Sequence, residues 1–330
     1  MRAPINRSIE LPFDILDHIF SFLKSHPKAL LACSKANSAF CQIVERYQFH
    51  HIIIHTGDAD STYSFRPSDM LRHLAETPRI VDYVAVLQIE FGGIQDPKQM
   101  APYLEEIASL LPMFPVLECI RLPTRPPTLL WQEDFPQSFR TAVENCLHLP
   151  TLQEVHVGNM DFPLSMLDNH MNINHLSLSQ PPKIETEYRE ATYPRIKSLA
   201  LEGFDHRFSE VFCTWAKQHI VGLQTLTYDF SCDKMILEVF KICSNTLENL
   251  YLCLQRQGTP GGLSSCLMEH CAEFLETETI YLFNFSSLPH LRHLAIHTEI
   301  YFWLKGSDVI RNTYLRTTIE ILKTAPRSNN

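Results

Sequence analysis

The sequence predicts an α/β protein in two parts: three helices within residues 1–48, then an irregular solenoid over residues 49–330. In the second part a curved parallel sheet carries helices on its outside. Three observations predict this. A short apolar motif recurs eight times between Val84 and Ile296. Stretches with helical periodicity separate the copies. The first helix carries a wider apolar arc than one packing partner can use.

That helix is read from "LPFDILDHIFSFL", Leu11 to Leu23. At about 100° per residue, Ile15, Leu16, Ile19, Phe20, Phe22 and Leu23 spread over roughly 160° of its circumference. Asp14, Asp17, Ser21 and Lys24 hold the remainder. A single core-facing stripe needs little more than about 100°. His26–Pro27 then ends this helix and opens the next, because the residue before a proline avoids the helical region. The second helix carries Leu30 and Leu31, and the third, from Lys35 to Tyr47, puts Ala36, Phe40, Ile43 and Val44 on one face. Roughly forty residues are too few to bury so wide an apolar set alone. An exposed apolar patch marks a partner surface.

From Val84 onward the template apolar-x-x-apolar-x-apolar takes over. It reads "VAVLQI" (Val84), "LECIRL" (Leu117), "LQEVHV" (Leu152), "INHLSL" (Ile173), "IKSLAL" (Ile196), "LQTLTY" (Leu223), "LENLYL" (Leu247) and "LRHLAI" (Leu291). The starts lie 33, 35, 21, 23, 27, 24 and 44 residues apart. Template positions four and six are two apart, so on a strand both point into the core and their neighbours face away. Helical periodicity fills the connections, in "SDMLRHLAET" (Ser68), "KQMAPYLEEIASLL" (Lys98), "QSFRTAVENCL" (Gln137), "SEVFCTWAKQHI" (Ser209) and "DKMILEVFKICS" (Asp233). Each unit hides one apolar face only by stacking on its neighbours. The units resemble irregular leucine-rich repeats, which run at about 20–29 residues. At any single copy, a chance match in an ordinary α/β sheet is the alternative.

Three proline- or glycine-punctuated stretches cannot continue a helix or strand. "TRPPTLLWQEDFP" (Thr124–Pro136), "SQPPKIETEYREATYP" (Ser179–Pro194) and "RQGTPGGLSS" (Arg256–Ser265) are expected as insertions along one rim. A closing helix, "SDVIRNTYLRTTIEILKTAP" from Ser307, would cap the last unit.

Residues 9–48 resemble the F-box. Its pattern opens with Leu-Pro, then an apolar pair, then Ile-Phe-x-apolar-Leu. It continues with a Leu-Leu pair and closes on an aromatic residue. Leu11, Pro12, Ile15, Leu16, Ile19, Phe20, Leu23, Leu30, Leu31 and Phe40 fall on those positions, with Phe40 where tryptophan is usual and Ala36–Asn37 where Val-Cys is frequent. The strand expected at "FHHIIIHT" (Phe49–Thr56) is similar to one in fungal-type F-box proteins with degenerate leucine-rich repeats. The resemblance implies docking on a Skp-type adaptor and, through it, on a cullin–RING ubiquitin ligase. Leu11, Pro12, Ile15, Leu16, Ile19, Phe20, Leu23 and Leu31 would bind the adaptor in a helix-in-groove arrangement. The repeat domain would select a protein substrate of unknown identity, with the ligase chemistry in other subunits. The alternative is a leucine-rich-repeat interaction scaffold whose N-terminal helices only cap the solenoid.

Strand positions facing away from the core would line the concave surface, the usual binding side of a solenoid. They give Glu90, Arg121, Glu154, His156, His175, Glu202, Asp229, Tyr251 and His293 as substrate-facing residues. Glu90, Glu154, Glu202 and Asp229 against Arg121 hint at a basic ligand, and a solvent-facing surface that is simply polar is the other reading. Tyr251 stands out because exposed aromatics are enriched at binding centres.

Composition and motifs exclude other classes. A 45% apolar, 20% charged chain of 330 residues has the balance of a folded globular protein. A formal charge of -9 with no basic run argues against nucleic acid. No apolar stretch reaches the 18 or so residues of a membrane span, and "MRAPINRSIELPFD" has no secretory apolar core. An intracellular protein, in cytoplasm or nucleus, is expected. Its ten cysteines would then stay reduced, with Cys119 and Cys253 as small buried hydrophobes. No G-x-G-x-x-G, Walker A, G-x-S-x-G or H-E-x-x-H pattern occurs, so no enzyme and no cofactor are expected. His51 with His55, and His293 with His297, are four apart on strands, about 13 Å, too far to share one zinc. Cys266 and Cys271 point in different directions on a helix, and no C-x-x-C occurs, so no metal is expected.

Overall fold

The computed structural model describes residues 12–24, 26–56, 64–92, 97–123, 130–158, 160–179, 195–202, 209–229, 235–255 and 288–299. Leu11, the stretches 180–194 and 256–265, and the expected closing helix lie outside them.

Three helices come first: α1 (Phe13–Ser21), α2 (Pro27–Ala36) and α3 (Ser38–Gln48). Pro27 stands in the first turn of α2, where its missing N–H costs nothing, and His26 before it is non-helical. The third helix begins at Ser38 rather than Lys35, because α2 runs on to Ala36 and Asn37 is fully extended between them. Ala36 is exposed at the end of α2, while Ile43 and Val44 are buried as expected. The core of this unit is small: Phe20, Leu30, Ile43 and Val44, with Leu16, Leu23, Cys33, Phe40 and Tyr47 packed around it. Tyr47 donates its hydroxyl to the Asp17 carbonyl at 2.9 Å and ties α3 to α1.

Next come β1 (His51–His55), β2 (Ser64–Phe65), α4 (Pro67–Glu76), β3 (Val86–Glu90), α5 (Pro97–Leu110), β4 (Cys119–Arg121) and α6 (Gln137–Leu147). They are followed by β5 (Glu154–Val157), β6 (His175–Leu178), β7 (Ser198–Leu201), α7 (Ser209–His219), β8 (Thr225–Asp229), α8 (Met235–Cys243), β9 (Asn249–Gln255) and β10 (His293–Glu299). These strands form one parallel sheet in which β1 lies between β2 and β3, and β3 to β10 follow in chain order. N-terminal helices followed by a ten-stranded parallel sheet with helices make an α/β, solenoid-like molecule. Each of the eight template segments carries one strand, β3 to β10.

One bonding pattern repeats at every step of the sheet from β1 through β3 to β10. The carbonyl just before one strand accepts two successive N–H groups at the start of the next. Ala85 takes Glu118 and Cys119 (2.8 and 3.0 Å), Glu118 takes Gln153 and Glu154 (2.8 and 3.0 Å), and Gln153 takes Asn174 and His175 (3.0 and 3.1 Å). The series runs from His50 to Glu248. Two threonines add a matching side-chain bond: Thr151 Oγ1 to the Leu117 carbonyl and Thr246 Oγ1 to that of Leu223, both 2.8 Å.

Register then decides which face each side chain takes. Leu87, Ile120, Val155, Leu176, Leu199, Leu226 and Leu250 form one in-register row, all buried. Helix residues Leu74, Leu104, Ile107, Phe139, Phe212 and Val239 belong to the same core. Each such side chain contributes about 1.5–3 kcal/mol of burial. Of the expected rim insertion Thr124–Pro136, residues 124–129 lie outside the description, and the rest is a correction. Trp131 and Phe135 are buried, packing with Phe139 at ring distances of 6.2 and 5.3 Å, and Trp131 with Phe162 at 5.2 Å. Prolines stop regular structure there, but the aromatics have more to gain in the core than in water.

Two substitutions separate the contributions to the sheet. Leu226→Ala should cost about 2–5 kcal/mol by leaving a cavity in the core row. Thr246→Val should cost about 1 kcal/mol, the worth of one neutral hydrogen bond. Urea midpoints measure both, and an unchanged Thr246→Val midpoint would show the turn bond to be idle.

Candidate functional site

Among the described residues, two surfaces stand out once packing is accounted for. The first is on α1. Taking Ile15 as zero at about 100° per residue, Phe22, Ile15, Ile19 and Pro12 fall within about 80° on one side, and Leu23, Leu16 and Phe20 within about 60° beside them. The structure divides the arc along that line. Phe20 is 3% exposed and meets Phe40 edge-to-face at 5.4 Å, and Leu16 and Leu23 pack on the same small core. Ile15 and Ile19 are 45% and 46% exposed, Phe22 68%. Pro12 and Leu31 are also exposed.

The residues expected to bind an adaptor differ in exposure. Phe20 is interior and offers nothing to a partner, and Leu16 and Leu23 are mostly committed inside. Pro12, Ile15, Ile19 and Leu31 are available. Phe22 and Phe13, absent from the expected set, are exposed as well. The helical angle of Phe22, beside Ile15 and away from Phe20, was the signal that could have found it.

The second surface is the sheet face opposite the leucine rows. One polar row runs His51, Val86, Cys119, Glu154, His175, Ser198, Thr225, Asn249, His293. The next runs Gln88, Arg121, His156, Ser177, Ala200, Thr227, Tyr251. The substrate-facing positions whose side chains are described do lie away from the leucine core, but they do not form one site. Arg121, Glu154, His156 and His175 crowd together on β4 to β6, and Glu90 stands apart on β3, where it accepts from Gln88. Tyr251 and His293 are exposed at the far end. Tyr251 is four strands from His156, about 19 Å. Glu202 sits past the end of β7 and accepts a hydrogen bond from Ser179 Oγ at 3.2 Å. Asp229 holds its place in β8, and its side chain lies outside the description.

The crowded end has unusual chemistry. Cys119 is buried, as expected, but between polar neighbours: Ile120 and Leu122 point into the core, so Cys119 and Arg121 take the opposite face. The thiol of Cys119, the carboxylate of Glu154 and a ring nitrogen of His156 lie within 4.8 Å of one another. His156 Nε2 stands 3.6 Å from Glu154 Oε2 and is buried with no hydrogen-bond partner, as are His51 Nε2 and Arg121 Nε. The His156 and His175 rings lie 5.2 Å apart. Gln88 donates to Glu90 at 2.7 Å.

Burial controls protonation here. It pushes the Cys119 thiol up to about 11, with Glu154 adding to the rise and Arg121 opposing it. It holds His51, His156 and His175 below the ordinary imidazole range, and the nearby Arg121 charge presses the same way. These histidines are therefore neutral at pH 7.

Another buried histidine, His219, stacks on Trp215 at 4.2 Å, lies 3.7 Å from Asp168, and is pushed down to about 4 by burial. In the unfolded chain all of these imidazoles titrate near 6.5. Between about pH 6.5 and 4 the unfolded state therefore binds more protons, and stability falls as pH falls. Thermal midpoints should be level from about pH 6.5 to 8 and decline steadily below 6.5. A flat profile from pH 6.5 to 5, above the carboxylate range, would show that the burial of these rings is not felt.

No protein-family model matches the chain, and no curated protein matches it either.

Proposed function

We propose that this protein is a non-catalytic substrate-recognition subunit of a cullin–RING ubiquitin ligase. Its N-terminal helices act as an F-box that docks on a Skp-type adaptor. Its sheet domain, read as degenerate leucine-rich repeats over residues 49–330, holds the protein substrate. The observation that carries this reading is the divided arc of α1. One side closes the helices' own core, and the other leaves Ile15, Ile19 and Phe22 in water. Exposing three large apolar side chains on one helix stabilises nothing within this chain. A groove on a partner would bury them.

Other features agree. The apolar cluster of the helices is separate from that of the sheet, which favours a division near residue 48. Strands β3 to β10 in chain order suit repeats that stack only on their neighbours. Cys146 and Cys243 are free and buried, in keeping with a reducing compartment. Among the described residues, no helix is long and apolar enough to cross a membrane.

A repeat scaffold with a helical cap is favoured by one observation. Arg79, just after α4, makes two hydrogen bonds of 3.0 and 2.9 Å to Glu45 of α3, a direct link between the helices and the sheet domain. The two readings differ in one measurable property. The full-length chain co-expressed with a Skp-type adaptor should co-purify with it. Ile15→Asp with Ile19→Asp should weaken the complex by more than about a hundredfold, as loss of central apolar anchors does. Circular dichroism should stay unchanged, because both residues already face water. A wild-type chain with no adaptor affinity would leave the cap reading standing.

A further inference from the structure

We propose that Cys119, Glu154 and His156 bind a transition-metal ion of the zinc class on the polar face of the sheet. Their three donor atoms lie within 4.8 Å of one another. Ligands on a tetrahedral zinc ion, with bonds near 2.0–2.3 Å, stand about 3.3–3.8 Å apart. Small side-chain rotations close that difference. The 3.6 Å between His156 Nε2 and Glu154 Oε2 already matches two ligands of a common ion and is too long for a hydrogen bond. No other partner meets that buried nitrogen. A buried polar atom left without a partner is costly, and a metal would satisfy it.

The backbone holds this arrangement firmly. Cys119 lies directly opposite Glu154 in register, and His156 is two residues further along the same face. Both strands are interior to the sheet. A thiolate, an imidazole and a carboxylate together suit zinc, cobalt or a similar ion and disfavour magnesium or calcium. On binding, the Cys119 thiol releases its proton to solvent, Glu154 binds as the carboxylate, and His156 offers a neutral nitrogen. Thiolate and carboxylate neutralise the ion's two charges. Arg121, opposite His156, then remains as an uncompensated cation and works against binding. The Glu154 side chain is 46% exposed, so the cluster opens to solvent. A fourth ligand, water or a group on a bound molecule, can enter from there. This inference does not rest on the adaptor reading.

Cobalt(II) titration of the full-length, chelator-stripped chain tests it. One equivalent should bind, with a thiolate-to-cobalt charge-transfer band in the near ultraviolet, and zinc should displace it. Cys119→Ser should abolish the band, and Cys243→Ser, in α8, should keep it. His156→Gln should weaken affinity by about tenfold or more. Arg121→Gln should strengthen it by about tenfold, because a repelling charge is removed. No band in the wild-type chain overturns the site, as does a band that survives Cys119→Ser. Should Cys119→Ser fail to fold, Glu154→Gln and His156→Gln decide: full affinity in both overturns it.

Discussion

One shared hydrogen bond governs the sheet. At each step a single carbonyl accepts the two N–H groups that open the next strand, from His50 through Ala85, Glu118, Gln153, Asn174, Lys197 and Gln224 to Glu248. A carbonyl has two lone pairs and can serve two donors. Because both donors are consecutive, the start of the next strand has no freedom to slide. A slip of one residue would turn Leu176, Leu199, Leu226 and Leu250 out of the core and their polar neighbours into it. Hydrophobic burial and backbone bonding thus specify the same register, and each strand passes it to the next.

The polar cluster is a consequence of that register. Strands lie about 4.8 Å apart, so side chains in one row are pressed together whether or not their chemistry agrees. In the rows from β7 to β10 they are mostly small or neutral, and Asn249 simply donates to Thr225 at 3.1 Å. From β4 to β6 the same geometry brings together the Cys119 thiol, the Glu154 carboxylate, the His156 and His175 imidazoles and the Arg121 guanidinium. Imidazoles in this setting stay neutral because charging them would cost desolvation beside an existing cation. The cluster is therefore a set of lone pairs facing one fixed positive charge.

Much of the fold was legible because local and global signals agree. The period-two template fell on strands at all eight places, and the strand expected at Phe49–Thr56 is β1. Helix α6 matches its expected span residue for residue, with Pro136 just before it and helical periodicity through Leu147. The short strand β2 was not legible, since two residues carry no periodicity. Trp131 and Phe135 were hidden by the prolines around them, which report on backbone and not on where an aromatic ring ends up. Cys119 is the instructive case. Its apolar neighbours Leu117, Ile120 and Leu122 suggested a core residue, yet its parity put it on the polar face. The donors it meets come from β5, beyond helix α6. Distances along one strand were the only ones the sequence offered, and they excluded a metal for His51 and His55 while leaving cross-strand sets unseen.

The same limit explains the first helix. The width of its apolar arc was visible, but which part of the arc faced inward depended on where α3 lies. Tyr47 fixes that by bonding the Asp17 carbonyl, and Phe40 by meeting Phe20. With those contacts made, Leu16, Phe20 and Leu23 turn inward and Ile15, Ile19 and Phe22 cannot follow, because a helix cannot present both edges of a 160° arc to one narrow seam. A helical unit whose buried core, among the described residues, is Phe20, Leu30, Ile43 and Val44 gains little from its own packing. Its hold on the sheet through Arg79 and Glu45 is a partly exposed ion pair, worth little by itself. Its apolar side chains in water can contribute to stability only by being covered. Under the proposed function, a partner's groove is what covers them.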